Sequence, residues 1–262
     1  MQNNPSFSER YGYQKEPKPI TIRHEAPLRL RKAILDIAIE AGFKAKDIRG
    51  ILCRKLREIE NEDNWSDDPV MKECLNLISG CEWVEVYEIC EVLAQEKNIP
   101  LVWRNSFEKG LNKFFVEEGI RWKIENGLIF TRGEEDFEKV MSIAKDRLEK
   151  TKRMIAKSEL EETIKNLSRR PEPNTTGAIN HSMVALECVA KEITQEPTKT
   201  LGKIINKLNL PKPIDVVVEK IWGFASNQGR HITEGKKPDF AEAELTVHLS
   251  AALISYLCEK NK

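Results

Sequence analysis

Apolar residues recur at helical spacing along almost the whole chain, and a two-residue alternation interrupts this pattern near the middle. A repeat near 3.6 residues favours amphipathic helices, whereas alternation favours a strand. The alternation lies at 120–124 and 128–131, on either side of Glu125-Asn126-Gly127. Asn-Gly between two short apolar runs is typical of a β-hairpin. The sequence therefore predicts a mostly α fold that contains one hairpin.

Turn signals from Gly, Pro and acidic residues divide the remaining chain into predicted helices. Before the hairpin, the predicted helices span about 26–41, 46–60, 69–78, 82–97 and a segment around 107–115. After it, they span 134–167 (unbroken or with one break), 174–193, 200–208, 214–224 and 239–257. The first 22 residues carry several prolines and predict an extended arm.

The hairpin permits two interpretations. A hairpin that follows several helices is typical of a winged domain, in which Arg121, Lys123 and Arg132 would contact nucleic acid. Alternatively, the hairpin only caps the helical core, and this is the interpretation we favour.

Composition indicates a soluble globular chain without a global charge bias. The 262 residues are 40% hydrophobic, and 42 basic residues balance 42 acidic ones. A nucleic-acid site would therefore have to be a local patch. The six cysteines show neither a CxxC pair nor zinc-ligand spacing, so we expect reduced, mostly buried thiols and chemistry without metal or cofactor. The absence of a signal peptide and of a long apolar run predicts a cytoplasmic protein with no membrane partner.

One stretch near the end, Ala225–Gly235, concentrates groups suited to phosphate chemistry. It is predicted as a small-polar turn between two helices, and it carries an adjacent Arg230-His231 pair. A guanidinium binds phosphate through a planar fork, and histidine changes its charge near neutral pH. Taken alone, such a pair is also common in solvated loops.

The surrounding segments resemble a known family. NTTGAINHSMVALECVAKEIT, PKPIDVVVEKIWGFASNQGRHI and FAEAELTVHLSAALISYL resemble the HEPN domain of AbiJ-type abortive-infection proteins. FSERYGY at 7–13 resembles the opening of the helical domain that often precedes HEPN in that family. The resemblance implies two domains: an AbiJ-like N-terminal helical domain with the hairpin at 1–133, and a HEPN-like helical bundle at 134–262.

Many HEPN domains are metal-independent ribonucleases that work as homodimers. The resemblance therefore implies an endoribonuclease toxin of an antiphage abortive-infection system, with RNA as substrate and a homodimer formed through the C-terminal bundle. An antitoxin or a phage trigger is a further candidate partner. The last predicted helix is apolar on more than one face, which also favours burial against a second copy.

The resemblance also suggests roles for individual residues. The candidate catalytic residues are Arg230, His231 and Asn227, and the candidate substrate-binding residues are Gly229, His181 and Glu187. The alternative for His181 is a histidine near a helix start that is hydrogen-bonded to the backbone.

The HEPN signature usually places an arginine four to six residues before the histidine, and this chain departs from it. Ala225 or Ser226 occupies the usual arginine position, and Asn227 matches the polar residue that often follows that arginine. Either Arg230 substitutes from the other side, or the domain binds RNA without cutting it. The alternatives to an enzyme are thus a non-catalytic RNA-binding or dimerisation module, and a helical adaptor with no nucleic-acid role.

Overall fold

The computed structural model describes Arg10, residues 18–230 and residues 237–261, with the backbone alone for 227–230. Over these residues the chain is mostly α-helical with one two-stranded hairpin, so the predicted fold class is confirmed. The chain divides into two compact units, Met1–Arg132 and Gly133–Lys262. No helix in the described ranges is both long and apolar enough to cross a membrane.

Within residues 18–132, the first unit contains five helices and the hairpin. Its elements are α1 (Leu28–Ala41), α2 (Ala45–Leu56), α3 (Asp67–Gly80), α4 (Trp83–Gln95), α5 (Leu101–Glu117), β1 (Trp122–Glu125) and β2 (Leu128–Thr131). Gly42 ends α1 in the left-handed conformation, at a φ of 111°, as the sequence predicted. Phe107 and Phe115 of α5 are fully buried in the core that these helices share.

The hairpin packs on the helices and caps their core. Asn126 and Gly127 have φ values of 54° and 78°, the left-handed pair that a tight two-residue turn requires. Asn112 of α5 both donates to the Ile124 carbonyl and accepts from the Ile124 amide, each at 2.8 Å. Glu108 accepts a hydrogen bond of 2.7 Å from the Gly127 amide. Side chains of α5 thus hold the hairpin along its length.

Two of the three cations that a nucleic-acid wing would use are buried. Arg121 is 7% exposed and donates to the hydroxyl of Thr131, whereas Arg132 is 6% exposed and donates to the Ile120 carbonyl. Lys123 is half-buried. The capping interpretation of the hairpin is therefore confirmed over the winged one.

The second unit is built on a bundle of four helices. Its elements are α6 (Glu135–Lys150), α7 (Met154–Ser168), α8 (Thr175–Thr194), α9 (Leu201–Ile204), a 3-10 turn (Ile205–Lys207), α10 (Ile214–Arg230) and α11 (Phe240–Lys260). Helices α6, α7, α8 and α11 form a bundle, while α9 and α10 pack on α8. The predicted long helix is broken between α6 and α7, where Lys152 adopts a positive φ of 59°.

All six cysteines are free thiols, and five of them are buried. Burial raises the pKa of the Cys74 thiol to about 12, which keeps it protonated at neutral pH. The prediction of reduced, mostly buried cysteines is confirmed, with the half-buried Cys188 of α8 as the exception.

Candidate functional site

Helix α10 carries the first part of the candidate stretch, residues 225–230, and packs on its neighbours through one buried face. Val218 and Ala225 are buried, and Trp222 lies between them at helical spacing. The Trp222 ring covers Gly202 of α9 so closely that an added Cβ atom there would lie 2.8 Å from it. Because α10 also packs on α8, its orientation is set by two neighbouring elements.

The prediction that the helix ends at Phe224 was wrong, and so was the prediction of a turn over residues 225–230; residues 231–235 of the predicted turn lie outside the described residues. Helix α10 continues to Arg230, because Ala225 extends the buried face that Val218 and Trp222 begin. Asn227, Gly229 and Arg230 therefore occupy the last part of this helix. The side chains of these three residues, and the whole of His231, lie outside the described residues, so their predicted roles stay predictions.

Beyond the candidate stretch, the chain is attached to the start of α8. The hydroxyl of Thr175, the first residue of α8, donates a hydrogen bond of 2.8 Å to the Pro238 carbonyl. Lys237 forms an ion pair of 3.3 Å with Glu172. Asp239 then begins α11 by accepting a hydrogen bond from the Glu242 amide. Both helices that flank the candidate stretch in the chain thus pack on α8, the helix that carries His181.

His181 forms a hydrogen bond to a carboxylate across the α7–α8 interface. Its Nδ1 lies 2.7 Å from Oε2 of Glu159, and the two side chains are 37% and 27% exposed. The partner is a carboxylate, so the alternative interpretation of a backbone hydrogen bond was wrong. An ionised carboxylate only accepts hydrogen bonds, so Nδ1 carries the proton in this pair. The other ring nitrogen, Nε2, is then the one that can exchange a proton with a substrate.

The antiparallel pairing of α7 with α8 brings these two side chains together. At one end, the Asn174 amide donates a hydrogen bond of 2.8 Å to the Asn166 side-chain oxygen. At the other end, Arg153 donates a hydrogen bond of 3.0 Å to Glu192. The histidine and its carboxylate lie between these two cross-links, so the register of the helices fixes their separation.

A second carboxylate lies one turn further along α7. Glu162 accepts a hydrogen bond of 2.5 Å from the Lys165 ammonium, which holds the pKa of Glu162 below its ordinary value, and His181 adds to this effect. Glu162 thus pairs with Lys165, and Glu159 is the carboxylate in direct contact with His181.

The structure does not bring Glu187 to His181. Its Oε2 accepts a hydrogen bond of 2.9 Å from the Leu201 amide, and its Oε1 lies 2.6 Å from the Lys191 ammonium. A helix rises about 1.5 Å per residue, so six residues separate the two side chains by about 9 Å along α8. Glu187 caps the start of α9 in this structure.

Sequence reasoning missed Glu159. The helical pattern predicts α7, but that helix contains Glu159, Glu161 and Glu162 in close succession, and only the pairing register selects one of them for His181. Among the described residues, no three His, Cys, Asp or Glu side chains are grouped so that they could hold a metal ion.

Comparison with known proteins identifies the first part of the chain. The family model for AbiJ N-terminal domain 4 matches residues 5–144, more than half of the chain, and covers every described element of the first unit. No curated protein and no solved structure matches.

Proposed function

Because the chain belongs to the AbiJ N-terminal domain 4 family, we propose that it acts in abortive infection as a HEPN-type, metal-independent endoribonuclease. The family match supports the defence role of the whole chain. The observation that carries the enzymatic proposal is the oriented imidazole of His181, whose Nδ1 is held by Glu159 in the second unit. The resemblance of the Arg230-His231 stretch to a HEPN site adds to it.

The proposed reaction is transesterification within RNA. The 2′-oxygen attacks the adjacent phosphorus, the bond from phosphorus to the 5′-oxygen breaks, and the products are a 2′,3′-cyclic phosphate and a 5′-hydroxyl. A base takes the proton of the 2′-hydroxyl, and an acid gives a proton to the leaving oxygen. RNA supplies its own nucleophile, so the atoms and charges of this reaction balance without a metal, an oxidant or a second substrate.

The roles of the residues in the candidate stretch are assigned by their chemistry. His231 transfers one of the two protons, and Arg230 neutralises the charge that develops on phosphorus-bound oxygens. Asn227 orients the phosphate or the imidazole by a hydrogen bond. Gly229 lacks a side chain, which allows the RNA backbone to approach the helix end closely.

His181 is the candidate for the second proton transfer. A carboxylate that fixes the tautomer and orientation of an imidazole is the arrangement by which general bases are positioned in other hydrolytic sites. Glu159 supplies that carboxylate here at 2.7 Å. In the competing version of the same proposal, a partner subunit supplies a second copy of His231, and His181 only binds substrate.

A homodimer through the second unit is part of the proposal, and the outer face of α11 supports it. Leu245 is 61% exposed and Leu249 is 36% exposed, and Ala252 and Tyr256 continue the same stripe at helical spacing. Apolar side chains that recur every three or four residues form the seam along which two helices associate.

The decisive experiment is single-turnover cleavage of a defined RNA by the purified protein in EDTA, with analysis of the fragment ends. The proposal predicts 2′,3′-cyclic phosphate and 5′-hydroxyl ends, and loss of both products in His231→Ala. His24→Ala, a change of an exposed histidine in the first unit, is the matched control and should cleave normally. RNA that is bound but left intact by the wild-type protein would instead establish the non-catalytic binding module.

A further inference from the structure

The loop Arg57–Asp68 joins α2 to α3 and includes the first two residues of α3. It concentrates negative charge on the first unit. Its six carboxylates are accompanied by one arginine within the segment, Arg57, and Glu60 pairs with Arg49 of α2, whereas the chain as a whole is neutral. These carboxylates belong to Glu58, Glu60, Glu62, Asp63, Asp67 and Asp68. A surface region with a net negative charge on a neutral protein favours positively charged partners.

The same loop holds two large apolar side chains in solvent. Ile59 is 93% exposed and Trp65 is 76% exposed, the highest values among the large hydrophobic residues that the structure describes. Single exposed apolar residues are ordinary. Here two such residues lie within seven positions and are surrounded by carboxylates. This arrangement resembles a binding surface, in which apolar anchors are enclosed by a polar rim.

Hydrogen bonds from the buried Arg49 and to Glu73 hold this loop in place. The Arg49 guanidinium, 7% exposed, donates hydrogen bonds of 3.1 Å and 2.8 Å to the carbonyls of Asn61 and Asn64. Glu73 accepts hydrogen bonds of 2.9 Å from the Asn61 amide and from the Asn64 side chain. The loop is therefore ordered before any partner arrives, which lowers the entropy lost on binding.

A cleft lies beside the loop. Its volume is about 620 Å³, and its lining includes the amides of Asn61, Asn64 and Asn76, the carboxylates of Asp68 and Glu73, the ammonium of Lys72 and the apolar carbons of Leu77. This size is typical of sites that accept one or a few side chains or a small ligand. The amides supply donors and acceptors, while Leu77 offers an apolar wall.

From these features we infer that the loop Arg57–Asp68 is a docking site for a basic peptide segment of a partner protein. Arg or Lys side chains of that segment would lie over the Trp65 ring and against the surrounding carboxylates, since an indole face attracts cations. Apolar side chains would pack on Ile59 or enter the cleft. Nucleic acid is the disfavoured occupant, because its phosphates would meet carboxylates rather than cations. This inference is independent of the ribonuclease proposal.

The test is calorimetric titration of the full-length protein with a short synthetic peptide that alternates Arg with Leu. We expect binding that weakens as salt is raised, and Trp65→Ala should weaken it about tenfold or more, as expected for an aromatic anchor. The double change Glu62→Gln with Asp68→Asn should weaken binding and flatten its salt dependence. All three positions are solvent-exposed, so the variants should melt like the wild type.

Two controls separate a specific site from general attraction. Glu40→Gln removes an exposed carboxylate on α1, and Leu28→Ala removes an exposed apolar side chain there; both should bind the peptide normally. Equal losses in the controls and in the loop variants would overturn the inference. No binding of the peptide, or binding of a short RNA that Trp65→Ala abolishes, would overturn it as well.

Discussion

The Nδ1 atom of His181 lies 2.7 Å from Oε2 of Glu159, a contact that joins α8 to α7 within the second unit. The histidine belongs to the second turn of its helix, whereas its partner lies 22 positions earlier in the chain. His181 was proposed only for substrate binding, and this contact gives its imidazole a defined orientation. Its chemical role can be tested at the carboxylate as well as at the ring.

The first prediction concerns Glu159→Gln. The amide keeps the size of the side chain but removes the charge that stabilises an imidazolium at position 181. We expect slower single-turnover RNA cleavage with nearly unchanged RNA affinity. His181→Ala should lose more, about 100-fold or greater, if the ring transfers a proton. Glu161→Gln, at an exposed position of the same helix, is the control. If Glu159→Gln and Glu161→Gln cleave RNA at equal rates, then the contact between Glu159 and His181 has only a structural role.

The second prediction separates catalysis from binding at Arg230 and His231. His231→Ala should slow cleavage by about 100- to 10,000-fold, because acid–base catalysis is lost, while RNA affinity changes little. Arg230→Ala should lower both rate and affinity, since a guanidinium–phosphate contact also forms in the ground state. Arg230→Lys should restore affinity better than rate, because lysine lacks the planar fork.

Melting temperatures, measured alongside cleavage and RNA binding, identify the other outcomes. If both alanine variants melt early and their RNA effects follow the unfolded fraction, then the stretch has a structural role. If the wild type binds RNA without cutting it and only Arg230→Ala weakens binding, then the second unit is a binding module.

Local patterns in the sequence predicted most elements but could not predict pairings between them. Gly42 and Asn126-Gly127 mark a helix end and a turn because their positive φ values are a local requirement. The continuation of α10 through Ala225 depends on burial against α8 and α9, which no local pattern contains. The choice of Glu159 as partner of His181 likewise depends on helix register.

The third prediction concerns the buried Arg49. Arg49→Met removes the donor to two loop carbonyls and the ion-pair partner of Glu60 and Glu73. Leaving these acceptors unpaired should lower the free energy of unfolding by about 2–4 kcal/mol. Urea unfolding measures the change. Arg54→Met, which breaks one ion pair of a guanidinium that is 64% exposed, should cost no more than about 1 kcal/mol; similar losses in both would contradict the prediction.

The fourth prediction is a pH dependence that arises from Glu73. Burial alone would raise its pKa, but hydrogen bonds from Asn64 and Asn61 and the charge of Arg49 outweigh burial and hold the pKa below 4.5. The unfolded chain therefore binds this proton more readily, so the stabilisation is present above pH 4.5 and is lost as pH falls through the lower folded-state pKa. Glu73→Gln should be less stable than wild type at neutral pH, and the difference should shrink in acid. A difference that stays constant with pH would contradict this origin.

The last prediction concerns assembly through the outer face of α11. Leu245 is the most exposed leucine of that helix, and Leu249 lies one turn further on the same side. If two copies associate along this stripe, the double change Leu245→Glu with Leu249→Glu places like charges in the seam and should yield a monomer by light scattering. Ile143→Glu introduces a charge at an apolar position of α6 that is 37% exposed, and it should leave the dimer intact.

Cleavage by the monomeric variant decides between the two sources of the second histidine. Retained activity assigns both proton transfers to one chain, through His181 and His231, whereas lost activity in a folded monomer assigns the second transfer to the partner's copy of the site. A wild-type protein that is already monomeric at micromolar concentration would contradict the dimer itself.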